Sequence, residues 1–161
     1  MNINSRVGYG YDVHAFEKGD HIILGGVKIP YRMGLKAHSD GDVVIHALVD
    51  ALLGACALGD IGQHFPDTDE RWKNKDSRLF LHTTVQMLDE KNWLINNIDI
   101  TIIAEAPKLQ DYSAAMRFNL AQDMKIDLNQ INIKATTTEK LGFIGRQEGI
   151  AATAIVLLQT R

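Results

Sequence analysis

The chain has little from which to build a covalent staple or a covalent catalyst. Its 161 residues include a single cysteine, Cys56, so no disulfide can form within the chain and a zinc ribbon is excluded. Cys56 sits in an apolar helical run with no base paired to it, which marks a small core residue and not a nucleophile. Charge of one sign is also scarce: 17 Lys and Arg stand against 20 Asp and Glu, a net charge of −3 with no block of like charges. Nucleic-acid binding through a basic face is therefore not expected. An anionic substrate would have to be held by local donors and bound cations. Long apolar runs are missing too. The most apolar stretch, residues 43–58, is interrupted by His46, Asp50 and Gly54 and is too short to span a bilayer. Residues 1–6 carry neither the apolar core of a signal peptide nor an Arg/Ser-rich transit pattern, so a cytoplasmic protein is expected. With three prolines, no repeat and no linker, the chain reads as one domain over residues 1–161.

What is present is a mixture of strand and helix patterns. Residues 6–14 read as a strand, with Val7, Tyr9 and Tyr11 alternating against smaller residues. Residues 21–30 read as a hairpin around Gly25-Gly26, followed by a polar loop over 35–41. Asp42 suits the N-cap of a helix running to about residue 57. Residues 63–75 are polar, carry Pro66, and form a loop long enough to suggest a lid. Helices are expected from residue 76 or 77 to 91 and over 110–124, and strands over 94–104, 131–136 and 150–158. The last is near-continuously apolar, as in a strand buried on both faces. The expected fold is α+β: a two-layer sandwich of a mixed four-stranded sheet plus hairpin, covered by helices on one face. The other face then needs cover, and self-association is the simplest source.

Chemistry concentrates in the first third. Asp12 and His14 share one face of a strand, and His46 is the polar interruption of an apolar helix. One carboxylate and two imidazoles make a three-ligand site with an open fourth position, the ligand count of a catalytic zinc. Asp42, His46 and Asp50 share a helical stripe, which suits Asp50 to accept the second N–H of His46. His38 and Ser39, just before this helix, can donate to phosphate oxygens. A second cluster, Thr136-Thr137-Thr138-Glu139 followed by Gly142, Gly145 and Arg146, combines hydroxyl donors with a carboxylate and suits a phosphate–Mg²⁺ site. His21 and His82 read as structural or surface residues, and Trp72 and Trp93 as packing anchors. The same three ligands would also serve a zinc hydrolase acting on a phosphoester.

Taken in order, Gly10-Tyr11-Asp12-Val13-His14, Ala37-His38-Ser39-Asp40-Gly41-Asp42, Leu58-Gly59-Asp60-Ile61-Gly62, Phe65-Pro66-Asp67-Thr68-Asp69, Ala106-Pro107-Lys108 and Lys134-Ala135-Thr136-Thr137-Thr138-Glu139-Lys140-Leu141-Gly142-Phe143 resemble the 2-C-methyl-D-erythritol 2,4-cyclodiphosphate synthases nearly end to end. The resemblance implies a homotrimer with active sites between subunits and one divalent ion of each of two kinds per site. These are zinc on Asp12, His14 and His46, and magnesium (or manganese) on Glu139. It implies that His38 and Thr137 steady the pentavalent phosphorus. Ala104, Glu105, Ala106, Pro107, Lys108, Leu109 and Gln110, with Thr136 and Thr137, would cradle the cytidine of a cytidine-diphosphate-type substrate. Asp60, Ile61 and Gly62, with Phe65, Pro66, Asp67, Thr68 and Asp69 on a mobile loop, would line the methylerythritol pocket. Val13, Ser39, Thr138, Phe143 and Arg146 are further substrate-contact positions by the same resemblance. Arg146 and Glu148 lie near the three-fold axis in such trimers, where some members hold an isoprenoid diphosphate. The same resemblance leaves open a non-catalytic trimeric module that binds isoprenoid diphosphates. The chain departs from the common pattern at Ile144, where Thr is more usual, and at Glu105, often Gln.

Overall fold

The structure is a computed structural model that describes residues 4–161; Met1, Asn2 and Ile3, half of the stretch read for a leader, lie outside the described residues. The first strand, β1 (Ser5–Lys18), leads into the hairpin β2 (His21–Leu24) and β3 (Val27–Pro30), the short β4 (Met33–Leu35) and the helix α1 (Val43–Ala55). The one-turn α2 (Ile61–His64) and α3 (Ser77–Glu90) follow. The rest is β5 (Trp93–Ile103), α4 (Ser113–Met124), β6 (Ile131–Thr136), the one-turn α5 (Gly142–Gly145) and β7 (Gly149–Thr160). The main sheet has five strands in the order β4-β1-β7-β5-β6, with β2-β3 a separate ribbon. β5 and β6 run parallel and the other pairs antiparallel. The sheet thus gains one strand over the four expected. Met33–Leu35 pairs with Phe16, Glu17 and Lys18, but three residues are too few to show alternation in a sequence.

Helices α1, α3 and α4 cover one face of this sheet. The side of β1 that meets α1 is its small side. A Cβ added to Gly8 would lie 1.9 Å from the Ala51 carbonyl oxygen, and one added to Gly10 would lie 1.9 Å from that of Ala47. Hydrogen at both positions lets strand and helix backbones touch. The large residues of β1 face the other way: Val7, Tyr9, Tyr11 and Val13 are exposed, with Val7 at 68%. β7 completes the pattern. Ile150, Ala152, Ala154, Val156 and Leu158 are fully buried, while Ile155 is half exposed. Within one chain β7 is therefore not buried on both faces, and its apolar outer residues lie open with those of β1. No helix of the described residues is long and apolar enough to cross a membrane.

Asp42 ties the hairpin to α1. It caps the helix through Ile45 N–H and its two oxygens also accept from Gly25 N–H at 2.9 Å and Gly26 N–H at 2.8 Å. Burial and the nearby Asp40 charge push its carboxyl up to about 6, against the pull of those three N–H donors.

Candidate metal centre and active site

Close packing of β1 on α1 brings the three expected ligands together. Asp12 Oδ2 lies 3.0 Å from His14 Nε2 and 3.1 Å from His46 Nδ1, and the two ring nitrogens are 3.3 Å apart. The far nitrogen of each ring is engaged elsewhere. His14 Nδ1 is 3.0 Å from the Lys36 carbonyl oxygen, which can only accept, so that nitrogen carries the proton. His46 Nε2 is 2.8 Å from Ser77 Oγ, whose own hydroxyl donates to Asp40 Oδ1, so it too acts as donor. The two facing ring nitrogens therefore present lone pairs to each other and to a carboxylate oxygen. Three acceptors with no donor between them among the described residues call for a cation. A tetrahedral zinc with bonds of about 2.0–2.1 Å spaces its ligand atoms by about 3.3–3.4 Å. The observed triangle is within a few tenths of that, and its donor set of two nitrogens and one oxygen suits the ion.

In the metal-free state protons must take the place of the cation between these groups. Burial pushes the Asp12 carboxyl up, but the hydrogen bonds and attraction it then receives from His14 and His46 outweigh this and hold the group at about 2. Burial pulls His14 down, and the Asp12 contact more than reverses this, leaving its imidazole above the usual range. The expectation for Asp50 is overturned. Its Oδ1 accepts from Ile61 N–H at 2.7 Å, where it secures the start of α2, and Ser77 takes the place assigned to it at His46. Asp50 lies one turn beyond His46, but the imidazole reaches sideways to α3.

A cavity of about 270 Å³ opens beside the metal-type cluster, lined by His14, Ala37, His38, Ser39, His46, Ile61, Gly62, Phe65, Asp67, Trp72 and Phe80. His38, Ser39, Ile61, Gly62, Phe65 and Asp67, among the residues that the resemblance singles out, line this one cavity. The loop residues are not equivalent. Phe65 is buried, stacked on Phe80 at 4.8 Å and edge-on to Trp72 at 5.1 Å, which anchors the loop over the cavity. Asp60 caps α2 through Gln63 N–H, and Asp69 is taken by Arg71. Asp60, Pro66, Thr68 and Asp69 are not on the cavity wall, and Val13 faces the open side of the sheet. A larger cleft, about 630 Å³, lies at the opposite end of the sheet near Trp93, Lys125 and Arg161 and contains no part of this cluster.

The second cluster forms at the ends of β5 and β6. Ala104 N–H donates to the Thr136 carbonyl at 3.0 Å, which joins the turn at 104–110 to the threonine run. A hollow of about 280 Å³ beside it is bounded by Ile102, Leu109, Gln110, Ser113, Met116, Ile133, Lys134 and Ala135. Thr136, Thr137 and Glu139 are exposed next to it, as are Lys108 and Phe143. Glu105 shapes the segment that follows. One of its oxygens accepts from Thr138 N–H at 3.0 Å, Thr138 Oγ at 3.2 Å and Lys140 N–H at 3.1 Å. Between these bonds Glu139 and Lys140 adopt left-handed backbone, with φ of 52° and 64°. Arg146 pairs with Glu148 at 3.0 Å, and Ile144 is buried, a core position where a hydroxyl would need a partner. The two clusters share one end of the sheet but not one pocket. Asp12 registers with Ala152, Ala152 with Ile102, and Ile102 with Ala135. Three strand spacings, about 14 Å, separate them.

The sequence profile of the YgbB family matches residues 5–159. The chain belongs to the YgbB family. It is 59% identical over 153 residues to the 2-C-methyl-D-erythritol 2,4-cyclodiphosphate synthase of Azotobacter vinelandii, covering 95% of this chain and 98% of that one. Its fold is similar to that of the bifunctional IspDF from Campylobacter jejuni, with a TM-score of 0.95 and 48% identity; the match covers 99% of this chain and 43% of that longer one. It is also similar to Plasmodium falciparum IspF in complex with CDP, with a TM-score of 0.88 and 37% identity over 98% of this chain and 97% of that one. The YgbB match spans both clusters. One side chain at this site, Ser77, carries no functional signal in the sequence, and Asp40 has no individual role there. Ser77 reaches His46 from 31 residues away and reads in the sequence only as a helix start, and Asp40 acts on His46 only through Ser77.

Proposed function

We infer that the chain is an enzyme, a CMP-releasing lyase that cyclises 4-diphosphocytidyl-2-C-methyl-D-erythritol 2-phosphate to 2-C-methyl-D-erythritol 2,4-cyclodiphosphate, in isoprenoid precursor synthesis by the non-mevalonate route in the cytoplasm. An oxygen of the 2-phosphate attacks the β-phosphorus. The bond from that phosphorus to the oxygen bridging the α-phosphate breaks, and CMP leaves with that oxygen. The observation that carries this reading is the acceptor triangle of Asp12, His14 and His46 opening on a cavity of about 270 Å³. Zinc on those ligands, and magnesium or manganese on Glu139, would neutralise phosphate charge and fix an in-line geometry. The exposed Glu139 carboxylate suits an ion that takes one protein oxygen and fills its sphere with phosphates and water.

The chain's own residues supply position. His38 and Ser39 stand on the cavity wall to donate to phosphate, and the Thr137 hydroxyl stands at the second cluster for the same task. The methylerythritol unit fits against Ile61, Gly62 and Phe65. The hollow bounded by Leu109 and Gln110 fits the cytidine. With the two clusters three strands apart, we place each complete site between copies of the chain, in a homotrimer whose contacts cover Val7, Tyr9, Tyr11, Val13 and Ile155. In that trimer Arg146 lies near the three-fold axis and supplies a cation for an isoprenoid diphosphate in the central cavity. Incubating the chain with substrate and both metals, and separating the products, tests the reaction. The reading requires CMP and the cyclic diphosphate in equal amounts; linear diphosphate products would identify a hydrolase instead.

A further inference from the structure

The polar contacts of His46 do not stop at the ligand triangle. Ser77, fully buried, is the first residue of α3 and directly follows the loop that borders the cavity. Its Oγ accepts from His46 Nε2–H at 2.8 Å, and its own O–H donates to Asp40 Oδ1. Its backbone N–H donates to the other Asp40 oxygen at 2.8 Å. Three residues earlier, Asn74 N–H donates to the His38 carbonyl at 3.2 Å. The end of the loop is thus fastened to the segment 38–40 directly over the far side of the His46 ring. Phe65 and Trp72 of the same loop pack on Phe80, which stands on α3 one turn after Ser77, with its ring 6.1 Å from that of His46.

We propose that Ser77 is a positioning residue that couples metal binding at His46 to the seating of the loop 65–76 over the cavity. The proposal rests on the metal reading above and extends it. A metal at His46 Nδ1 requires the proton on Nε2, and that proton needs an acceptor held at fixed distance. Ser39 Oγ lies farther off, at 3.3 Å; Ser77, the closer acceptor at 2.8 Å, is in place only while the first turn of α3 is docked against Asp40. The converse follows from linkage: a metal that binds only the seated arrangement stabilises it. His46 and the loop therefore move between two states together, and the substrate cavity is built when the metal is in place.

Zinc alone is the probe, applied to the full chain. Competition with a chromophoric chelator gives zinc affinity, and hydrogen exchange gives the protection of backbone amides in 65–76. The unmodified chain is expected to gain protection there on adding zinc. Ser77→Ala is expected to bind zinc roughly 10–100-fold more weakly and to lose that zinc-dependent gain. Asp40→Asn keeps an acceptor for the Ser77 hydroxyl and should weaken binding less. The double variant should be no weaker than Ser77→Ala alone, because both act through one relay. A purely structural Ser77 would change protection equally with and without zinc. Zinc affinity of folded Ser77→Ala within twofold of the unmodified chain would overturn the proposal. Should Ser77→Ala fail to fold, Asp40→Asn decides: zinc affinity and zinc-dependent protection of 65–76 both unchanged in that variant would overturn the proposal as well. An unmodified chain that binds no zinc would instead overturn the metal reading, and this proposal with it.

Discussion

Gly10 and Ala47 touch backbone to backbone: a Cβ at residue 10 would lie 1.9 Å from the Ala47 carbonyl oxygen. The metal-type triangle depends on that approach, since Asp12 and His14 follow on the same face of β1 and His46 precedes Ala47 by one residue. Gly10→Ala must push the strand from the helix. The expected loss of stability is about 3 kcal/mol, read as a shift in urea midpoint, with zinc affinity falling as well. An unchanged midpoint would mean that strand and helix can separate freely.

Asp42 holds three backbone donors, two of them buried and the third, Gly26 N–H, partly so. Asp42→Ala strips the cap of α1 and leaves Gly25 and Gly26 N–H unpaired, for a loss of roughly 3–5 kcal/mol in denaturant unfolding. The pH dependence has a definite sign. The folded carboxyl is raised from 3.8 to about 6, so the folded state binds more protons than the unfolded one between those values. The cost of burying the charge is present above pH 6 and is relieved as pH falls toward 4. Acidification across that window should not weaken the protein through Asp42.

Asp12 runs the other way. Its folded value of about 2 lies below 3.8, so in metal-free protein it contributes roughly 2 kcal/mol above pH 4, lost as pH falls through 3.8 toward 2. Zinc affinity responds at higher pH. His14 is raised above its usual range, so protons compete for its ring nitrogen from near neutrality downward, while Asp12 stays ionised. Affinity measured by calorimetry should fall steadily from pH 8 to 5.5, with proton release on binding growing across the range. An affinity independent of pH in that range would exclude the imidazoles as ligands.

Glu105 gathers Thr138 and Lys140 around the backbone turn that presents Glu139. Glu105→Ala should raise the magnesium concentration for half-maximal CMP release about tenfold, the equivalent of one or two hydrogen bonds. Glu105→Gln retains an acceptor oxygen and should stay within about threefold. Equal losses in the two variants would point to the charge of Glu105 and not to its geometry.

Much of this is legible in the sequence. The Asp-x-His strand and the helical His46 announced a ligand set because period two and the apolar setting of His46 are local signals. The helix cap at Asp42 and the hairpin at Gly25-Gly26 were equally local. What escaped was long-range. Ser77 meets His46 across 31 residues, while Asp50, on the expected stripe, is drawn to α2. The three-residue β4 was too short to show a period. The outward turn of Tyr9 and Tyr11 follows from the fit of Gly8 and Gly10 to α1, a preference for the small face that alternation alone does not reveal.

The central claim is that one chain carries two halves of a site joined between copies, and mixed oligomers test it directly. His46→Ala disables the metal half and Glu139→Ala the phosphate half. Unfolded together and refolded at equal ratio, the two inactive chains should recover about a quarter of the unmodified activity, because a random pairing unites two intact halves one time in four. A mixture no more active than its separate components would contradict the account and place the whole site within a single chain.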